Sequence, residues 1–297
     1  MPSRRALLLI NRHARRGSAS IDGTVQVLER GGISLQRMDL PNRYEIANLI
    51  RQHAAACDLV IVGGGDGTVN AAARGLIDTR LPLGILPLGT ANDLARTLHL
   101  PADPAAAAAV IVAGHLRSID LGEANGVPYF NVAHVGLTTE LAHRLTRESK
   151  KRWGRLGYAI AAWRIVRRAR PFTATVHHDG RDETFRTLQV SVGNGVFYGG
   201  GLRVAEGALP DDGRLDVFSL EAGHWWELIA LLPHLKRGTH GRKATVRSFR
   251  TTEVMLTTRR PRDVDADGER ITRTPAQFRV LPAAVRVFAP PPPPVET

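Results

Sequence analysis

The stretch Leu59-Val60-Ile61-Val62-Gly63-Gly64-Gly65-Asp66-Gly67-Thr68-Val69-Asn70 constrains this chain more than any other. Four aliphatic residues run directly into glycines, one carboxylate and a threonine. An unbroken aliphatic run of this length suits a strand covered on both faces, as in a parallel sheet. Glycines at its end let the backbone turn sharply and approach a ligand with no Cβ in the way. From Thr68 to Ile77 the sequence is alanine-rich and helix-competent, so the turn is expected to open onto a helix N-terminus. Free N–H groups and the helix dipole favour phosphate there. An ordinary strand-to-helix turn would account for one glycine pair. Four glycines around an acid favour a phosphate loop.

A second glycine turn follows the next aliphatic run, in Gly84-Ile85-Leu86-Pro87-Leu88-Gly89-Thr90-Ala91-Asn92-Asp93-Leu94-Ala95-Arg96. Thr90 is positioned to cap the following helix, with Asp93 in the capping-box place three residues on. That reading suffices for the turn taken alone. Two such turns on parallel strands, however, end at one carboxyl edge, where open α/β sheets bind ligands. They place Asp66, Thr68, Thr90 and Asp93 around one cleft.

The first 120 residues alternate expected strands (6–10, 59–62, 83–86) with expected helices (20–30, 43–56, 69–76, 92–98, 104–113). Pro104 and Gly114 suit the start and end of the last helix. This rhythm implies a mostly parallel sheet covered by helices. After Ile119 the segments become short, β-branched and alternating, at 173–177, 184–192, 215–220, 244–249, 253–257, 278–281 and 285–288. They read as an antiparallel β domain, interrupted by helices at 141–168 and 225–235. The boundaries expected are an α/β domain over 1–122, a β-rich domain over 123–282 and an extended proline-rich tail over 290–297.

Several chemistries are excluded. There is no Walker A motif and no Gly-x-Ser-x-Gly. After the first strand, Asn11-Arg12-His13-Ala14-Arg15-Arg16-Gly17 stands where a dinucleotide fingerprint would be. That segment is either a phosphate-neutralising loop or simply a solvated one. His177 and His178 sit on opposite faces of a strand. One cysteine, Cys57, precludes an intrachain disulfide and a cysteine-based metal cluster. No apolar run approaches the ~20 residues of a membrane span, and the N-terminal run, cut short at Asn11, is too brief for a signal core. A cytoplasmic protein is expected. The formal net charge of +12 favours anionic partners, although an arginine-rich composition without functional meaning would give the same figure.

The two glycine turns together resemble the diacylglycerol kinase catalytic-domain family, which includes bacterial lipid kinases, sphingosine kinases and ceramide kinases. The first motif is shared with NAD kinases and 6-phosphofructokinases, and the second points to the lipid kinase branch. Further markers extend the resemblance over nearly the whole chain: Ser118-Ile119-Asp120, Asn131-Val132-Ala133-His134-Val135-Gly136, Gly193-Asn194-Gly195, Pro210-Asp211-Asp212-Gly213-Arg214-Leu215-Asp216 and Asp267-Gly268-Glu269. It implies a NAD-kinase/diacylglycerol-kinase-like α/β domain, completed by 283–289, and a C-terminal antiparallel β-sandwich for the lipid, with ATP between them.

The resemblance also assigns residues. Asn11, Gly64, Gly65, Asp66, Gly67, Thr68 and Thr90 would contact ATP, although the family's Asn-Pro is Asn11-Arg12 here. Asp66, Asp93 and Asp120 match an acidic network bearing on the nucleotide's Mg²⁺. Asp212, with the carbonyls of Leu209 and Arg214, matches a structural Mg²⁺ turn; a plain hairpin is the alternative. Asp267-Gly268-Glu269 matches the general-base site, with Glu269 favoured over Asp267 as the proton acceptor. Asp263, Asp265 and Asp267 also fit half of a calcium loop, but Thr274 stands where that loop needs Glu.

The stretch 141–170 holds ten Lys or Arg residues and one acid, with Trp153, Leu156, Ile160 and Trp163 at helical spacing. It reads either as a helix packed on the β domain or as a contact with an anionic bilayer. The expectation is an ATP- and Mg²⁺-dependent lipid kinase acting peripherally at an anionic membrane. An NAD kinase and a basic nucleic-acid-binding protein are the rivals, no nucleic-acid partner is expected, and homodimer formation stays open.

Overall fold

The computed structural model describes residues 4–11, 21–40, 42–139, 163, 167, 169–205, 207–222, 225–242 and 245–291. In the first half, the strands Ile33–Asp39, Arg4–Ile10, Leu59–Gly64 and Leu83–Pro87 lie side by side in that order, all parallel. Alternate residues divide between two cores. Leu7, Leu9, Val60, Val62, Leu83 and Ile85 point to the side of the Ile46–His53 and Ala73–Thr79 helices. Ala6, Leu8, Leu59, Ile61 and Leu86 point to the side of the Ile21–Arg30 and Pro104–Ala113 helices. Because both faces are covered, neither set tolerates a polar residue, and the aliphatic runs are continuous. Each such Leu, Ile or Val side chain contributes roughly 1.5–3 kcal/mol on burial.

The Pro104–Ala113 helix has the expected ends. Asp103 accepts the N–H of Ala106 at 2.8 Å, and Gly114 closes the helix at φ +81°.

In the second half the chain forms an antiparallel sandwich. One layer is a six-stranded sheet in the order Val246–Thr251, Leu215–Leu220, Gln189–Gly193, Val132–Gly136, Asp263–Ala266, Glu269–Arg273. The other layer continues the first sheet, making it ten-stranded. Val254, Leu256 and Phe278 of that layer pack on Val190, Val217 and Val264 of the six-stranded one. The long strand Ala276–Phe288 joins the halves: it runs antiparallel to Leu116–Ala124 and Glu253–Thr258, and its Val287 lies parallel beside Leu83.

Several elements differ from the sequence expectation. The helix expected at 69–76 is two helices, Asp66–Asn70 and Ala73–Thr79, offset where Ala72 N–H bonds Val69 O three residues back. The strand expected at 184–192 is two, Arg181–Thr187 and Gln189–Gly193, in different sheets. The Thr187 hydroxyl bonds the carbonyls of Gln189 and Leu220 and stabilises the corner. The segments 278–281 and 285–288 form one strand with an irregularity between Leu281 and Val285. Strands Ile33–Asp39, Leu116–Ala124, Val127–Tyr129, Val132–Gly136, Asp263–Ala266 and Glu269–Arg273 were not among those expected. The calcium-like segment is a hairpin, with Asp267 (φ 48°) and Gly268 (φ 85°) at its two-residue turn. The segments 12–17 and 141–162 and the tail beyond 291 lie outside the described residues. Among those described, no helix is long and apolar enough to cross a membrane.

Candidate functional site

The two glycine turns meet at the carboxyl edge of the parallel strands. Gly65, at φ −97° and ψ −177°, precedes the Asp66–Asn70 helix, and its carbonyl accepts the N–H groups of Thr68 and Val69. Leu88 N–H bonds Gly64 O at 3.0 Å, pinning the second turn to the first. The backbones are so close that a Cβ on Gly89 would lie 2.4 Å from Gly65 Cα and 2.6 Å from Asn92 Oδ1. These glycines are required by contact with each other. Gly89→Ala is therefore expected to cost about 1–3 kcal/mol, read by denaturant unfolding. Gly23→Ala, in the Ile21–Arg30 helix with nothing within 4 Å of its Cβ position, should be neutral or stabilise by up to about 1 kcal/mol.

Asn11 reaches the loop from the end of the first strand, its Nδ2 donating to Thr68 Oγ1 at 3.1 Å. Thr90 is exposed, and the capping box expected of it does not form. Asn92 precedes the helix instead, in the left-handed region at φ 50°, exchanging hydrogen bonds with the Gly89 backbone. The carboxylate of Asp93 is instead engaged by the glycine run of the second half: Gly200 N–H donates to its Oδ2 at 2.9 Å.

Asp66 and Asp93 form an acidic pair. Asp66 Oδ1 accepts Leu94 N–H at 3.2 Å, linking the two turns. Asp93 is buried, and its Oδ1 has no hydrogen-bond partner. Burial raises its pKa and the charge of Asp66 adds to the rise, while Gly200 N–H and Arg96 oppose it. A buried, unsatisfied carboxylate oxygen beside a second carboxylate is a donor set suited to a hard cation.

The second half contributes the Asp267-Gly268-Glu269 turn. Asp267 accepts three backbone N–H groups, those of Phe130 (2.8 Å), Asn131 (3.1 Å) and Val132 (3.2 Å). Burial outweighs these donors and pushes its pKa up to about 6. Since this lies above the unfolded carboxylate value, Asp267 contributes stability that is complete below about pH 4 and is lost as pH rises through 6. Wild-type unfolding free energy, compared with that of Asp267→Asn, is expected to decline by about 2–3 kcal/mol more between pH 4 and 7.

Glu269 projects from the same turn over the glycine loop. A Cβ on Gly67 would be 3.3 Å from both Glu269 Oε1 and Arg43 Nη1. Arg43 and Glu269 approach to 2.6 Å, with the Glu269 side chain 24% exposed. Burial raises the Glu269 pKa and Arg43 opposes the rise. Arg43 and the glycine run Gly199-Gly200-Gly201, all at positive φ, are site residues that motif reading missed. The glycine run was visible in the sequence; nothing local marks Arg43.

Asp120 is not brought to the Asp66–Asp93 pair by a contact among the described residues. Its Oδ2 accepts Gly213 N–H and its Oδ1 accepts Ala283 N–H, each at 2.7 Å, so it fastens the acidic turn to the joining strand. At that turn, Asp212 Oδ1 accepts Arg214 N–H and its Oδ2 meets Arg250 at 2.8 Å. Leu209 is exposed. The guanidinium of Arg250 thus pairs with the only carboxylate of the expected ligand set. A separate cavity of about 350 Å³ is lined by Asp216, Phe218, His240, Phe249 and Arg250 and shares no residue with the glycine loops.

The fold and these markers recur in known proteins. Residues 5–124 match the diacylglycerol kinase catalytic domain, and residues 132–289 match the YegS C-terminal NAD kinase beta sandwich-like domain. The diacylglycerol kinase of Mycobacterium tuberculosis is 33% identical over 278 residues, covering 90% of this chain and 89% of that protein. That of Bacillus subtilis is 30% identical over 238 residues, 78% of each chain. A crystal structure from Bacillus anthracis described as a diacylglycerol kinase superposes with a TM-score of 0.83 at 28% identity, covering 97% of this chain and 96% of its own. The chain belongs to the diacylglycerol kinase family, whose catalytic-domain model spans both glycine turns and whose second-domain model spans the Asp267-Gly268-Glu269 hairpin.

Proposed function

We propose that the protein transfers the γ-phosphoryl group of ATP to a hydroxyl of diacylglycerol or a related lipid. One observation carries this reading: Glu269, from a hairpin of the second domain, sits directly over Gly67 of the glycine loop of the first. A phosphate bound on that loop and an alcohol held by the second domain would meet at this carboxylate. Glu269 serves as general base, accepting the hydroxyl proton as the oxygen attacks phosphorus in line.

Asp267 is a poor base in this geometry because three amides already hold its oxygens. It orients the turn that presents Glu269. Gly64, Gly65 and Gly67 let the phosphates approach the backbone, while Asn11, Thr68 and Thr90 border the loop. Asp66 and the unsatisfied Asp93 Oδ1 would hold the Mg²⁺ of the nucleotide. That ion, when bound, would neutralise phosphate charge. Asp120 acts at a distance by fixing the joint between the domains, and the Asp212 turn carries no step.

Diacylglycerol is favoured over NAD because the relatives quoted above are named diacylglycerol kinases. The net charge of +12 supports peripheral action at an anionic membrane surface on the cytoplasmic side. The test is label transfer from γ-labelled ATP, offered in parallel to diacylglycerol, a sphingoid base and NAD, with products identified by mass. A phosphorylated glycerolipid is expected; labelled NADP as the main product would overturn the reading.

A further inference from the structure

Arg43 is the described guanidinium at the mouth of the glycine loop, and its placement assigns it a task. It lies in the Arg43–Glu45 turn, whose geometry Asn42 fixes by accepting Tyr44 N–H at 3.0 Å. Its Nη2 donates to Tyr44 Oη at 3.1 Å, and its guanidinium carbon lies 5.1 Å from the Tyr44 ring centroid. These contacts aim the guanidinium at the point above Gly67 where Glu269 Oε1 also lies.

Two features make the Arg43–Glu269 contact replaceable. The 2.6 Å approach places the charges together, yet Glu269 Oε1 is buried and receives no aligned hydrogen bond. The guanidinium therefore gives Glu269 charge without the bidentate geometry it can give phosphate oxygens. The chain also has no lysine before Lys150, so cationic help for phosphates from the α/β half must come from arginine.

We propose that Arg43 is a latch on Glu269 that the terminal phosphate of the nucleotide opens. In the free protein the guanidinium pairs with the carboxylate. When a nucleoside triphosphate occupies the loop, the guanidinium turns to its phosphate oxygens and Glu269 is released toward the lipid hydroxyl. The proton of that hydroxyl then passes to Glu269, the new O–P bond forms, and the bond between the γ-phosphorus and its bridging oxygen breaks to leave the diphosphate. Nucleotide occupancy thus makes the base available only when there is a phosphoryl group to transfer. The inference rests on the kinase reading above.

The test is a binding cycle with a non-hydrolysable ATP analogue and Mg²⁺, measured by calorimetry on the full chain, with thermal melts to show that each variant is folded. Because binding must break the ion pair, Glu269→Gln is expected to bind the analogue about 3–10-fold tighter than wild type. Arg43→Gln should bind at least about 10-fold weaker, and Arg43→Lys should recover part of the loss. In the double variant, Glu269→Gln should bring no further gain, since no latch remains to open. Equal affinity of wild type and Glu269→Gln, or the same gain from Glu269→Gln in both backgrounds, would overturn the latch alone. No binding of the analogue to folded wild type would overturn the kinase reading beneath it, and the latch with it.

Discussion

Asp66→Ala is expected to lower kcat with a diacylglycerol substrate by about 10²–10³-fold or more, the range for removing a preorganised electrostatic group from a phosphoryl-transfer site. The carboxylate stands at the junction of the two glycine turns, bonded to Leu94 N–H and electrostatically coupled to the buried Asp93. Removing it leaves one anion where two would hold the nucleotide's cation. The fold should survive, because the loss of one hydrogen bond, roughly 1 kcal/mol, is partly offset by relief of repulsion at Asp93. Asp66→Asn keeps an acceptor for Leu94 N–H but not the charge. It should fold like wild type and be nearly as inactive as the alanine variant. Steady-state kinetics with parallel thermal melts checks both halves; retained turnover in a folded Asp66→Ala protein would remove the loop acid from the chemistry.

Glu269→Gln is expected to lower kcat by about 10²–10⁴-fold, the usual contribution of a general base. The amide cannot take the hydroxyl proton, but it preserves size and reach. Stability should change little, since the pair it breaks with Arg43 is partly exposed on both sides, at 42% and 24%, and such pairs contribute about 0–1 kcal/mol. Asp267→Asn should behave in the opposite way. It places an NH₂ among three N–H donors and so is expected to destabilise the hairpin, lowering activity through loss of native protein. Comparing kcat and melting temperature for the two variants separates the base from its anchor. An inactive but fully stable Asp267→Asn, beside an active Glu269→Gln, would reverse the assignment.

The α/β half was legible because its strands are covered on both faces, so Ala6–Ile10 and Leu59–Val62 show as unbroken aliphatic runs. Leu116–Ala124 was hidden by its polar residues: Asp120 is buried on the amides of Gly213 and Ala283, and Glu123 on Arg279 at 2.6 Å. A hydropathy pattern cannot show such partners. The corner at Thr187 shows in the sequence only as a one-residue slip in the alternation, from Phe185 to Leu188, too slight to split the run while the chain changes sheets. At the site, the glycine motifs showed which backbone positions need close approach. They did not show that Asp93 would be held by Gly200, or that Arg43 would reach Glu269, because both contacts cross between halves of the chain. Thr90 was misjudged as a cap because the left-handed conformation of Asn92 moves the helix start past it.

The proposed reaction delivers a phosphate on the first glycine loop to a lipid hydroxyl at Glu269. Its most direct measurement follows label from γ-labelled ATP into the organic phase with diacylglycerol-containing anionic vesicles, using wild type, Asp66→Ala and Glu269→Gln side by side. Wild type is expected to yield a labelled phosphatidic acid, and either variant at most about one per cent of that rate. Wild-type protein that leaves all label in water, or variants that transfer it as fast as wild type, would contradict it.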